Sequence, residues 1–192
     1  MTDQTTGGPR SDPTDPQLRD LSAFAALCLT TRGSYWKLSG ALGRLRARMG
    51  DLGLTPAGPA FGIFYDDPET VPDEETRYTL GYPLDTAEAE DAESRLGAAS
   101  RRDAGEGDVG SGDRFTVERF PDETVASLEH EGPAAESGSV YARLEAWLTE
   151  QGLEAQGPPR EIYLAEPGTL GKGLLHALIH QPVTRRPAAP PA

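Results

Sequence analysis

The chain has a single cysteine, Cys28, only two lysines, Lys37 and Lys172, and no apolar run long enough to span a bilayer. One thiol excludes an internal disulfide and any metal centre built from several cysteines, so nothing points to an oxidising compartment and the cytoplasm is the expected location. The most apolar stretch, residues 21 to 29, is too short for a membrane span and lacks the basic flank of a secretion signal. Positive charge is also scarce. With 31 acidic against 18 basic residues the formal net charge is -13, which repels DNA and anionic membrane surfaces. Direct binding of nucleic acid or membrane is therefore not expected. No Ser-His-Asp or Cys-His arrangement and no glycine-rich phosphate loop is legible, and there is no helix-turn-helix.

What is present is a chain of 192 residues, the size of one ordinary domain, expected over residues 18 to 183. Residues 1 to 17 and 184 to 192 carry too little apolar surface to repay the entropy of ordering them, and both are expected to be disordered tails. A third stretch, residues 85 to 113, is dense in Ala, Glu, Asp, Gly and Ser and is expected to be an acidic, flexible linker.

The blocks flanking this linker, residues 24 to 84 and 123 to 183, superpose without a gap at an offset of 99. Gly33 falls on Gly132, Arg44 on Arg143, Leu45 on Leu144, Gly53 on Gly152, Leu54 on Leu153, Gly58 on Gly157, Pro59 on Pro158, Ile63 on Ile162 and Pro68 on Pro167. Identity is low, but the matches sit where glycine and proline have backbone roles, which is the mark of an internal repeat.

Each block has the pattern of a β-α-β-β unit. In the first, residues 25 to 31 suit a buried strand, and Ser34 is a candidate N-cap. Leu38, Leu42, Leu45, Met49 and Leu52 then form one helical face, ended by Gly53. In the second block Val140, Tyr141, Leu144, Trp147 and Leu148 make the corresponding stripe, ended by Gly152. Residues 61 to 66 and 160 to 165 are matching strands, with 77 to 84 and 176 to 183 as partners. An additional strand over residues 114 to 120 is expected to pair with residues 125 to 130 through a turn at Pro121 and Asp122. The expected fold class is α+β: two β-α-β-β units with pseudo-twofold symmetry, an antiparallel sheet, two helices on one face, and a ligand cleft between the halves.

Several segments together suggest a family. Residues 61 to 68, Phe-Gly-Ile-Phe-Tyr-Asp-Asp-Pro, are followed by Val71-Pro72 and Arg77-Tyr78. The second half has His130-Glu-Gly-Pro133, a helix with Tyr141 and Trp147, and residues 157 to 163, Gly-Pro-Pro-Arg-Glu-Ile-Tyr. This pattern resembles the GyrI-like small-molecule-binding family over residues 24 to 183, and also its testis-expressed receptor branch, whose membrane anchor is not seen here. That family includes effector-binding domains of multidrug-responsive transcription activators, a gyrase-inhibitory protein and hydrolases of cyclopropane-bearing genotoxins. The resemblance implies a duplicated β-α-β-β fold and an aromatic-lined cleft between the halves, with an acidic residue that maps to Glu161.

Glu161 can also be reasoned about from strand alternation. Ile162 and Leu164 are expected to face the helices and Glu161 and Tyr163 the other side; in the first block Ile63 and Tyr65 share the helix side, and Gly62 and Phe64 the opposite one. One copy thus presents a carboxylate where the other has no side chain. A carboxylate in an apolar cleft attracts a cationic or hydrogen-bond-donating ligand, whereas on an open, wet face it would do nothing. Phe64, Tyr65, Tyr163 and Trp36 are candidate aromatic walls. Trp147 is a packing residue first and a ligand-binding residue second, as is Tyr141. His176 and His180 share a face but lack a third ligand, so no metal is assigned. Asp66, Asp67 and Pro68 suit a turn in which the carboxylates cap backbone groups.

The leading functional expectation is a stand-alone binder of hydrophobic, cationic or aromatic small molecules through Glu161, Tyr163, Phe64, Tyr65, Trp36 and Trp147, with no cofactor. The alternatives are a hydrolase of strained electrophiles using Glu161 and Tyr163 as acid/base groups, and a regulator that binds a protein partner through its acidic surface and linker.

Overall fold

The computed structural model describes residues 15–103 and 112–186. Among these residues there are nine strands and three α-helices. The first half contains β1 (Gln17–Leu21), β2 (Phe24–Arg32), α1 (Leu38–Asp51), β3 (Phe61–Phe64) and β4 (Arg77–Leu84). Then come α2 (Thr86–Asp103), β5 (Arg114–Phe120), β6 (Glu123–Pro133), α3 (Ser137–Glu150), β7 (Leu153–Ala155), β8 (Arg160–Ala165) and β9 (Leu174–Arg185). A 3-10 turn leads into each of α1 and α3, over Tyr35–Lys37 and Ala134–Glu136.

The offset of 99 holds to the residue for both 3-10 turns and for both helices they lead into. Local chemistry explains the common boundaries. Ser34 accepts a hydrogen bond from the Trp36 amide, and α1 ends in a Schellman turn, with the Gly53 amide bonding to Gly50 and the Leu54 amide to Met49. That turn needs the left-handed conformation Gly53 adopts at φ 65°, which Gly152 repeats at φ 64°. Leu42, Leu45 and Met49 of α1 are buried, as are Val140, Leu144 and Leu148 of α3.

Eight strands form one antiparallel path in the order β1-β6-β9-β8-β3-β4-β2-β5, with β7 on β9. The strand before the second repeat does not pair with residues 125 to 130. Instead β5 lies along β2, and β1 lies along β6. The two short strands are related by the same offset, and each adds to the sheet of the other half, so the repeats exchange edges reciprocally. The sheet also curls strongly. Phe24 stacks on Phe120 at 4.6 Å and meets Phe61 edge-on at 6.0 Å, while the Arg160 guanidinium on β8 lies over both Phe24 and Phe120. Inside the curl, Ala26, Cys28, Phe61 and Ile63 form a small core.

Three sequence expectations need correction. Residues 86 to 103 are no linker but a helix whose Ala89, Ala92 and Leu96 enter the main core and whose Arg95 side chain donates to the Leu52 carbonyl at 2.8 Å. The helix face of the sheet therefore carries three helices rather than two, and residues 86 to 103 are no free acidic arm for a partner. Gln17, placed in the expected N-terminal tail, belongs to β1 and pairs with Ser127. At the other end Thr184 and Arg185 belong to β9, paired with Glu154 and Leu153. Residues 1–14, 104–111 and 187–192 of the expected tails and linker lie outside the described residues. No helix among the described residues is long and apolar enough to cross a membrane.

Candidate functional site

Strands β3 and β8 are equivalent elements of the two repeats, and they are neighbours in the sheet. Their register pairs Phe61 with Ile162, Gly62 with Glu161 and Ile63 with Arg160. Gly62 and Glu161 are themselves equivalent at the offset of 99. Only on a twofold axis can a position sit opposite its own copy, so the axis relating the halves passes through this pair. A second contact at the same offset, the Ala23 amide donating to Asp122 Oδ1 at 2.7 Å, marks the axis again where the edge strands cross.

The face occupied by Glu161 is the reverse of the one expected. Glu161 and Tyr163 point toward the helices, and Ile162 packs inside the curl against the cluster of Phe61 and Ile63. Alternation separates these residues but does not say which side carries the helices, because both faces of this sheet are covered and apolar residues lie on each. Gly62 and Phe64 accompany Glu161 on the helix side, whereas Ile63 and Tyr65 do not.

Glu161 is 7% exposed. The Tyr141 hydroxyl of α3 donates to its Oε1 at 2.7 Å, and no cationic side chain among the described residues pairs with it. Burial raises its pKa above the ordinary carboxylate value, and the Tyr141 hydrogen bond opposes that rise in part. Tyr163 is 1% exposed, inside the main core, and burial, then the Glu161 charge, push its pKa well up. Its hydroxyl has no hydrogen-bond partner among the described residues. That hydroxyl lies in the space left by Gly62: a Cβ on Gly62 would be 2.5 Å from Tyr163 Oη and 3.0 Å from Phe64 Cζ. Phe64 in turn meets Tyr35 edge-on at 4.8 Å, and Tyr35 meets Tyr78 at 5.7 Å. The Tyr35 hydroxyl donates to the Asp66 carbonyl at 2.8 Å.

Of the residues singled out from sequence, Glu161, Tyr163 and Phe64 thus come together. Three do not join them. Tyr65 lies across the sheet, its hydroxyl on Thr79 Oγ1 at 3.0 Å, because it follows the alternation of Phe61 and Ile63. Trp36 is 69% exposed on the 3-10 turn, and Trp147 packs on the smaller core of Leu144 and Leu148. Tyr35 and Tyr78 were not foreseen; the only sequence signal for Tyr35 was its place after the cap residue Ser34. Tyr141, expected mainly as packing, is the residue that holds the acid. In the expected turn, the Asp67 carboxylate accepts from the Glu69 amide at 2.8 Å and Asp66 from the Arg77 amide at 2.7 Å. The Arg77 guanidinium keeps Asp66 at a pKa of about 2. His176 Nε2 donates to the Glu129 carboxylate at 2.8 Å, and no cluster of three potential metal ligands occurs among the described residues.

A curled α+β fold with two equivalent halves and a buried acid on their axis defines a class of duplicated domain. The chain belongs to the GyrI-like family: the model of the GyrI-like small molecule binding domain matches residues 14–176. Solved structures share the fold at low identity. A hydrolase from Listeria innocua superposes with a TM-score of 0.63 at 17% identity, covering 89% of this chain and 92% of that one. The C-terminal domain of EcmrR gives 0.62 at 15% identity over 89% and 98% of the two chains. SAV2435, solved bound to tetraphenylphosphonium, gives 0.51 at 14% identity over 88% and 94%. No curated protein matches the chain.

Proposed function

We propose that this protein binds hydrophobic organic cations, with Glu161 as the countercharge and Phe64, Tyr35 and Tyr78 as the aromatic surface beside it. The observation that carries this reading is a carboxylate buried on the pseudo-twofold axis with, among the described residues, a single hydroxyl donor and no cationic partner. A carboxylate in such a setting is costly unless something positive completes it. Ring faces next to it favour a diffuse cation over a compact, strongly hydrated one. The small-molecule binding domain to which the chain belongs supports a small-molecule ligand, and the tetraphenylphosphonium complex of SAV2435 supports a cationic one. A cytoplasmic location and a role in resisting or sensing several compounds accord with it.

The test is a thermal shift with tetraphenylphosphonium and with the neutral triphenylmethanol, on wild type and Glu161→Gln. Tetraphenylphosphonium is expected to stabilise the wild type and to bind the variant about tenfold more weakly or worse, a loss of about 1.4 kcal/mol, while the neutral compound treats both alike. Equal stabilisation of the two proteins by the cation would remove the countercharge role.

A second reading is hydrolysis. It is favoured by the elevated pKa of Glu161 beside a phenol with no partner, the kind of paired groups that general acid/base chemistry uses, and by the hydrolase among the structural neighbours. In it Glu161 takes the proton of a water whose oxygen opens a strained ring, and Tyr163 protonates the departing carbon or heteroatom. Product release from a cyclopropane-bearing electrophile, abolished in Glu161→Gln, separates this reading from binding alone.

A further inference from the structure

Tyr163 carries a hydroxyl that none of the described residues engages. The side chain is 1% exposed, its Oη has no partner among the described residues, and it sits over the backbone of Gly62, the residue directly opposite Glu161 in the β3–β8 register. Phenylalanine would fill the same volume without leaving a polar atom dry, and an unsatisfied buried hydroxyl is a net cost to folding. Tyr141 is the instructive contrast: its hydroxyl is spent on the Glu161 carboxylate at 2.7 Å. The Tyr163 hydroxyl is left as a donor beside the acid, and Gly62 makes room for it.

We infer that Tyr163 is a specificity-determining residue, selecting organic cations that carry a hydrogen-bond acceptor, such as an ether or carbonyl oxygen, close to the positive centre. The two groups on the axis ask for complementary things: Glu161 for positive charge or N–H donors, Tyr163 for a lone pair. A ligand that offers both completes the site, whereas one that offers charge alone leaves the phenol unpaired. The asymmetry of such penalties makes a missing hydrogen bond more discriminating than an added methylene. This inference rests on the cation-binding reading above.

The experiment compares two quaternary ammonium ions of the same shape, (2-benzyloxyethyl)trimethylammonium and (4-phenylbutyl)trimethylammonium, which differ by an ether oxygen in place of a methylene. Dissociation constants are measured by calorimetry for wild type and Tyr163→Phe. The wild type is expected to prefer the ether by about threefold to tenfold, the range of one buried hydrogen bond. Tyr163→Phe is expected to lose that preference while holding the hydrocarbon as well as before, and to melt no lower than the wild type. Equal affinity of the wild type for both ions, or a preference that survives in Tyr163→Phe, overturns the role of Tyr163 and leaves the cation site standing. If neither ion binds the wild type, the cation-binding reading fails, and the selection by Tyr163 with it.

Discussion

Among single residues, the pairing of an acid with an absent side chain was legible from the repeat, since Glu161 and Gly62 occupy matched positions. Which face they occupy was not. Alternation separates Glu161 and Tyr163 from Ile162, but naming the helix side requires one face to be wet, and here Ile162 packs inside the curl while Tyr163 enters the main core. His180 is a second residue whose meaning came only from the fold. It is 7% exposed, neither ring nitrogen has a partner among the described residues, and it lies opposite Arg160 in the β8–β9 register. Burial first, then the Arg160 and Arg19 charges, lower its pKa to about 4. A folded-state value below the unfolded one means that folding favours the neutral ring. Its stability is fully present above pH 6.5 and is lost as the pH falls through about 4. Between pH 7 and 4.5 the wild type is expected to lose roughly 2 to 3 kcal/mol more than His180→Leu, measured by urea denaturation at both pH values. Equal acid sensitivity of the two proteins would contradict this account of His180.

At the level of elements, the matched helices α1 and α3 were legible because their stripes use large side chains, Leu42, Leu45 and Met49 in one and Val140, Leu144 and Leu148 in the other. Helix α2 was missed because its composition resembles a solvated linker: acidic residues and alanines, with one large apolar side chain in its buried set. The helical spacing was nevertheless there, in Ala89, Ala92 and Leu96. Small residues at the first two of these positions let α2 approach the sheet closely, and Leu96 supplies the bulk. Leu96→Ala is therefore expected to destabilise the protein by about 2–4 kcal/mol, the cost of a core leucine, read from the denaturation midpoint. A linker would tolerate the change within about 0.5 kcal/mol, as an exposed site does. Strand β1 escaped notice for a related reason. Gln17–Leu21 carries no buried residue, so its place is set by backbone pairing with β6 and not by apolar pattern.

Across the whole molecule, reciprocal placement of β1 and β5 makes each half depend on the other for its outer strand. Removing residues 1 to 22 is expected to expose β6, although β6 is more than one hundred residues away, and to spare β2, which follows immediately. Hydrogen exchange should quicken at the amides of residues 123 to 127 while β2 stays protected by β4 and β5. Quickening confined to β2 would refute the exchanged topology. The position of Gly62 and Glu161 on the axis has a different kind of consequence. Two identical half-length chains, associating in this arrangement, could set only glycine against glycine or glutamate against glutamate: no charge at all, or two carboxylates forced to share a proton. A lone carboxylate at the centre of the twofold is closed to such a homodimer and open to a covalently joined pair whose halves are free to diverge.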